Sequence, residues 1–180
     1  MKIGYDVRAD KDTVIKHTDD LLIGNHVAID KGFYCTTRLY MGNYIHISPY
    51  VTIIGGKNAY CKIGSFVTIS AGARLICVGD TFWGDGLVGP LIPDEYRNSM
   101  WGIRILIQDF ANICTNAVIS PGVVIGKGAV VGANSFVSHD IPDWEVWAGS
   151  PARFIKKRNS DKMLEYANKL GYVYESILAG

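Results

Sequence analysis

An aliphatic residue returns at every sixth position through most of this chain. One run is Ile23, Ile29, Cys35, Met41, Ile47 and Ile53; a second is Ile63, Ile69 and Leu75; a third is Ile107, Ile113, Ile119, Ile125, Val131 and Val137. Fourteen of these fifteen positions are Ile, Leu, Val or Met. A helix of about 3.6 residues per turn would scatter side chains of this period around its surface. The pattern suits instead a short strand and a corner, with three hexads closing one triangular coil and coils stacking into a parallel solenoid.

Arithmetic tests the coil. Ile23 and Met41 are 18 residues apart, as are Ile107 and Ile125. Met41 to Ile63 is 22, an insertion of four, and Ile63 to Ile107 is 44, an insertion of 26. Three stacks follow: Ile23/Met41/Ile63/Ile107/Ile125, Ile29/Ile47/Ile69/Ile113/Val131, and Cys35/Ile53/Leu75/Ile119/Val137. Both insertions leave at one corner, between the third stack and the next first one, the short one near Gly55–Cys61 and a long loop at 80–103.

Residues 1–20 show no such pattern and are expected to form an irregular cover over one end. The period stops after Pro142, Gly149-Ser150-Pro151 reads as a turn, and Ser160 reads as the N-cap of an amphipathic helix over 160–172. That helix, with Met163, Leu164, Ala167 and Leu170 on one side, covers the other end or a neighbouring subunit. The expectation is one domain over 1–180: cover 1–20, solenoid 21–142 with loop 80–103, turn segment 143–158, helix 160–172.

Composition narrows the classes. Eighteen Lys and Arg against seventeen Asp and Glu leave a charge of +1, a poor basis for holding bulk nucleic acid or an anionic membrane surface. With 48% apolar and 19% charged residues the chain is no disordered polymer. Cys35, Cys61, Cys77 and Cys114 sit singly in apolar surroundings, as buried free thiols of a reducing compartment do. The first residues hold no apolar signal core, and no run is long enough to span a membrane, so a cytoplasmic location is expected.

The hexads, the stretch Ile119–Pro142 and the ending Trp147-AGSPARFIKKR together resemble the hexapeptide-repeat acyltransferases over residues 20–158. The nearest branch is the sugar O- and N-acetyltransferases of polysaccharide and antigen biosynthesis. The resemblance implies an all-β fold, a left-handed parallel β-helix with three sides. It also implies a homotrimer, acetyl-CoA as donor and a sugar or nucleotide-linked sugar as acceptor. Neither handedness nor trimer follows from the period.

For CoA, the cations Arg153, Lys156, Lys157 and Arg158 suit its phosphates, while Gly132, Ala133, Ala148 and Gly149 leave room for the pantetheine arm. Acyl transfer also asks for a group that takes the acceptor's proton, most often His. Among His17, His26, His46 and His139, His46 is the best candidate, at the outward sixth position of its hexad beside the coil from which the long loop departs. Its plain alternative is a surface or subunit-contact residue.

The maltose and galactoside acetyltransferases carry a His just after the coil before the long loop. Here that place reads Val78-GDTFWGDGLVGP, with no His, so Asp80 and Asp85 stand as alternative bases and an amino sugar is mildly favoured. Trp83, Asp85, Tyr96 and Arg97 in the loop suit a polar ring, as well as packing on a neighbour. Two other classes share this pattern, a zinc enzyme, which needs a close His pair that the sequence does not show, and a scaffold without chemistry, against which the GSPARFIKKR ending argues. A xenobiotic or amino acid remains an alternative acceptor.

Overall fold

The computed structural model describes residues 1–172. Three parallel sheets form the sides of the solenoid. The first and third faces have six strands each, and the second has eight. Each expected stack is one column of register partners. Ile23, Met41, Ile63, Ile107 and Ile125 face one another on the first face, and the other two sets do so on the second and third.

The strands are only two to five residues long, so each side of a coil contributes one or two inward side chains. Those side chains fill the interior. Ile47, Ile53, Ile69, Leu75, Ile107, Ile113, Ile119 and Ile125 are fully buried. Cys35, Cys61 and Cys77 lie in the same core as free thiols, and Cys114 is half-buried. Desolvation pushes the Cys35 thiol up to about 12, and contact with the Cys77 thiol together with burial raises Cys61. The core cysteines therefore act as small apolar residues, without nucleophilic character.

Three expectations need correction. Residues 1–20 are no irregular cover. Lys2–Ile3, Val7–Ala9 and Val14–Ile15 form a further coil, with Ile3 against Ile23, Ala9 against Ile29 and Ile15 against Cys35. Its hexad period is intact, but 20 residues separate Ile3 from Ile23, and with no coil beneath it Ile3 stays half exposed. The 143–158 segment is more than a turn. Glu145–Ala148 adds to the second face beside Val130–Val131, and Arg153–Lys157 returns antiparallel as a hairpin.

The helix is shorter than expected, Asp161–Lys169, and the Ser160 side chain makes no capping bond. The Asn159 side chain instead accepts the Asp161 N–H at 2.8 Å. Among the described residues no helix is long and apolar enough to cross a membrane.

Both insertions leave where expected, at the corner between the third and first faces. The long loop departs through Gly79–Asp80 and returns through Met100–Trp101, two short strands paired antiparallel, before Arg104–Ile107 re-enters the first face.

The corner between the first and second faces repeats a local device. Asn25, Asn43, Ser65 and Asp109 each accept a backbone N–H from the preceding coil through the side chain. The next residue in each case, His26, Tyr44, Phe66 and Phe110, has a positive φ of 57–64°. Left-handed backbone costs a non-glycine residue about 1–2 kcal/mol. Here the four rings stack along the axis at centroid spacings of 4.6, 4.8 and 5.1 Å, which offsets part of that cost.

Candidate active site

The hairpin and the long loop hold most of the residues expected to carry chemistry, and they lie at different places on the solenoid. In the hairpin, Gly132 meets Ala148 so closely that a Cβ at 132 would stand 2.6 Å from that of Ala148. These two small residues thus allow the last coil and the hairpin to touch. Gly149 turns at φ 104°, where its N–H donates to Ser135 Oγ at 3.0 Å and its carbonyl accepts the Phe136 N–H. Ala133 follows Gly132 at the same corner, exposed.

The four cations of this ending do not act alike. All five residues of Arg153–Lys157 are exposed, and the Lys156 ammonium forms no ion pair or hydrogen bond among the described residues. Lys157 stands 4.0 Å from Glu145, and Arg153 folds onto the Ala152 carbonyl at 2.9 Å. Arg158 turns inward, where its Nη1 donates to the carbonyls of Phe110 at 3.1 Å and Gly128 at 3.0 Å, and burial lowers its pKa. This geometry braces the corner and takes Arg158 out of the set that faces solvent.

The loop has an internal frame. Asp85 accepts the Ser99 hydroxyl at 2.6 Å and the Thr81 hydroxyl at 3.1 Å, and the Ser99 bond holds its carboxyl below the usual range. A carboxylate so held is a weaker base and a good strut. Thr81 and Asn98 are buried and bonded to each other, and Arg97 pairs with Asp94 at 2.5 Å. That leaves Trp83 and Tyr96 open, 85% and 60% exposed, with Phe82 and Leu91 more exposed still. Asp80, at the loop base, is half-buried and accepts no hydrogen bond among the described residues.

His46 is outward on the second face, with its Nε2 2.8 Å from Asp30 Oδ2. The loop leaves from the corner opposite that face. His46 is therefore beside the loop's coil along the axis, as expected, but within one chain it is not brought together with Asp80, Asp85 or Trp83. A second His–carboxylate pair, His26 Nδ1 to Asp6 Oδ2 at 2.8 Å, lies at the stacked corner.

Sequence reasoning missed that corner and a basic, aromatic cluster on the first face: Arg38, Tyr60, Lys62 and Arg104. The corner had a signal, since each ring follows an Asn, Ser or Asp. The cluster had none, because its members are joined only by the register of three coils.

No family model matches the chain. It is 31% identical over 169 residues to the dTDP-4-amino-4,6-dideoxy-D-glucose acyltransferase of Escherichia coli, covering 91% of this chain and 84% of that protein. The chain belongs to the hexapeptide-repeat acyltransferases. Among solved structures, this acyltransferase superposes on AntD, an N-acyltransferase from Bacillus cereus in complex with dTDP and 3-hydroxybutyryl-CoA, with a TM-score of 0.88 and 32% identity over 93% of this chain and 88% of that one. AntD was also solved with dTDP-4-amino-4,6-dideoxyglucose and coenzyme A, and with one aspartate replaced. A hexapeptide-repeat-containing acetyltransferase from Vibrio cholerae, complexed with acetyl coenzyme A, is similar at a TM-score of 0.64 and 26% identity, over 78% and 72% of the two chains.

Proposed function

We propose that this acyltransferase moves an acyl group, acetyl in the simplest case, from a CoA thioester to the amine or hydroxyl of a nucleotide-linked sugar. The observation that carries this reading is the match, over 93% of the chain, to an N-acyltransferase holding both dTDP and an acyl-CoA. The open, aromatic loop and the exposed cations of the hairpin support it as acceptor and donor regions.

In this reading Lys156, Lys157 and Arg153 meet the phosphates of CoA, and Trp83 and Tyr96 flank the sugar. The acceptor nitrogen attacks the thioester carbonyl, a tetrahedral intermediate forms, and the C–S bond breaks as the proton of the attacking nitrogen passes to the departing sulfur or to solvent. Positive charge develops on that nitrogen, and Asp80, with both oxygens unengaged at the loop base, is placed to orient the amine and balance the charge. A neutral amine needs less deprotonation than a hydroxyl, which agrees with a carboxylate in that place. In this reading its service is orientation and charge.

His46 is a second reading, favoured by its pairing with Asp30, which fixes the ring as carboxylates do in catalytic dyads. It requires a loop from another subunit, since the chain's own loop leaves on the far side. The loop residues Phe82, Trp83 and Leu91 expose apolar surface of the kind a neighbouring copy covers, in accord with a homotrimer. Free thiols and a CoA donor accord with a cytoplasmic enzyme.

The test is incubation with acetyl-CoA and a panel of nucleotide-linked amino and hydroxy sugars, reading free thiol. Release with an amino sugar, lost in Asp80→Asn, is expected. No thiol release with any acceptor, and no CoA binding by calorimetry, would remove the reading.

A further inference from the structure

The first face has side chains that the loop and hairpin leave without a task. Tyr60 lies in register between Arg38 on one neighbouring strand and Arg104 on the other, and Lys62 lies opposite Tyr40. Strands in a sheet are about 4.8 Å apart, so the two guanidinium groups flank one phenol from adjacent coils. The Arg38 guanidinium carbon is 5.8 Å from the Tyr60 ring centroid and the Lys62 ammonium 5.7 Å. Arg104 reaches the Tyr60 hydroxyl at 3.5 Å.

Three cations thus gather around one phenol, two beside its ring and one at its hydroxyl, and no carboxylate answers them. Arg38, Lys62 and Arg104 form no ion pair among the described residues, and the Arg38 Nε is buried without a hydrogen-bond partner. Asp19 and Asp20, which precede the strand on the next coil, pair with none of them. Like charges gathered at this range repel, and a buried guanidinium N–H without an acceptor costs stability, so the arrangement is one that an anion would complete.

The surroundings say which anion. Arg38, Tyr60 and Lys62 line a cavity of 450 Å³. Tyr40 and Lys62 also line a second cavity of 610 Å³, which continues to Asn43, Tyr44 and Phe66 at the stacked corner. On the other side, Arg104 is the first residue of the strand that follows the long loop. Across the face the order is loop base, cationic cluster, then aromatic and amide-lined cavity. That is the order of a sugar, a diphosphate and a nucleoside.

We propose that the first face binds the diphosphate of the nucleotide-linked acceptor, with Arg38, Lys62 and Arg104 as its cations and the Tyr60 hydroxyl as a donor. This rests on the acyl-acceptor reading above. The sugar then points to Asp80 and the loop, and the nucleoside lies toward Tyr40 and Tyr44. CoA carries phosphates of the same chemistry, and the cluster answers to the nucleotide because the hairpin cations lie on a different face.

The experiment is calorimetry on the full chain with dTDP, UDP, inorganic pyrophosphate and CoA as separate titrants. Wild type is compared with Arg38→Gln/Arg104→Gln, Lys62→Gln and Lys156→Ala, with thermal unfolding and size-exclusion light scattering on each. The expected result is a loss of about tenfold or more for the nucleotides in the first two variants with CoA affinity unchanged, and the converse in Lys156→Ala. Unchanged nucleotide affinity in variants that unfold like wild type would overturn the proposal. A loss of CoA instead would assign the cluster to the donor. A change in subunit number with nucleotide affinity intact would assign it to a subunit contact. Wild type that binds CoA but no nucleotide removes this proposal and leaves acyl transfer standing; wild type that binds neither removes both.

Discussion

Arg158→Gln separates structure from binding within one basic segment. The sequence groups Arg158 with Lys156 and Lys157, whereas the fold turns its guanidinium onto the carbonyls of Phe110 and Gly128, at 3.1 and 3.0 Å. Hydrogen bonds from an ionised donor contribute about 1.5–3 kcal/mol each in favourable cases. Both share one nitrogen here and the side chain is half-exposed, so about 1–2 kcal/mol in total is the reasonable expectation. In a chain of this length each kcal/mol moves the melting midpoint by about 2–4 °C, which gives a fall of about 2–8 °C. Circular dichroism melts at a fixed scan rate measure it, and CoA calorimetry on the same sample should show an affinity within twofold of wild type. A variant that melts like wild type but loses CoA would refute the bracing role and return Arg158 to the phosphate-binding set.

Asp80→Asn should lower kcat for an amine acceptor by about a hundredfold, within the usual reach of such groups, with His46→Ala costing far less unless a neighbour's loop completes the site. Steady-state thiol release on both variants decides between them. Gly132→Val should cost about 1–3 kcal/mol, because its Cβ would stand 2.6 Å from that of Ala148 and the hairpin must shift, and chemical denaturation reads the cost. A thiol reagent at pH 8 should leave Cys35 and Cys61 unmodified in the native protein and react with them only in denaturant, since burial for Cys35, and contact with the Cys77 thiol together with burial for Cys61, raise both pKa values above that pH. The His26 hydrogen bond lowers the pKa of Asp6, so its contribution to stability is present above the ordinary carboxylate pKa of 3.8 and fades as pH falls through the lower folded value. Asp6→Asn should remove that part of the acid limb in melts taken between neutral and acid pH.

The solenoid was legible because its signal is repeated. One misplaced hexad would have spoiled the whole arithmetic, and the stacks from Ile23 to Val137 pair in the structure as the spacing required. The first coil escaped because two extra residues lie between Ile15 and Ile23, and its column meets the next only after that offset. The hairpin escaped because Trp147 follows Val131 by 16 residues, two short of a coil, while still continuing the same face. The site was less legible for a different reason. Asp85 and Arg97 read as substrate groups by type, and the structure adds that Asp85 bonds the Ser99 hydroxyl and Arg97 pairs with Asp94; such partners cannot be read from composition. The first-face cluster unites residues 38, 60, 62 and 104, which only a known register can do.

The stacking of coils also makes the protein a ruler. Two strands of the second face, at Asn112–Ile113 and Val130–Val131, lie between the coil that releases the long loop and the hairpin strand Glu145–Ala148. Each such step is about 4.8 Å, so the span is roughly 14 Å along the axis and can change only in whole increments. An insertion or deletion of one 18-residue coil in this interval would leave every corner and every core contact type unaltered, yet displace one terminus of the span from the other by a full graduation. The donor's flexible arm is of fixed length. If the donor runs from hairpin to loop as proposed, the number of coils calibrates the reach demanded of it, and a protein with one more or one fewer would keep the fold and be out of gauge.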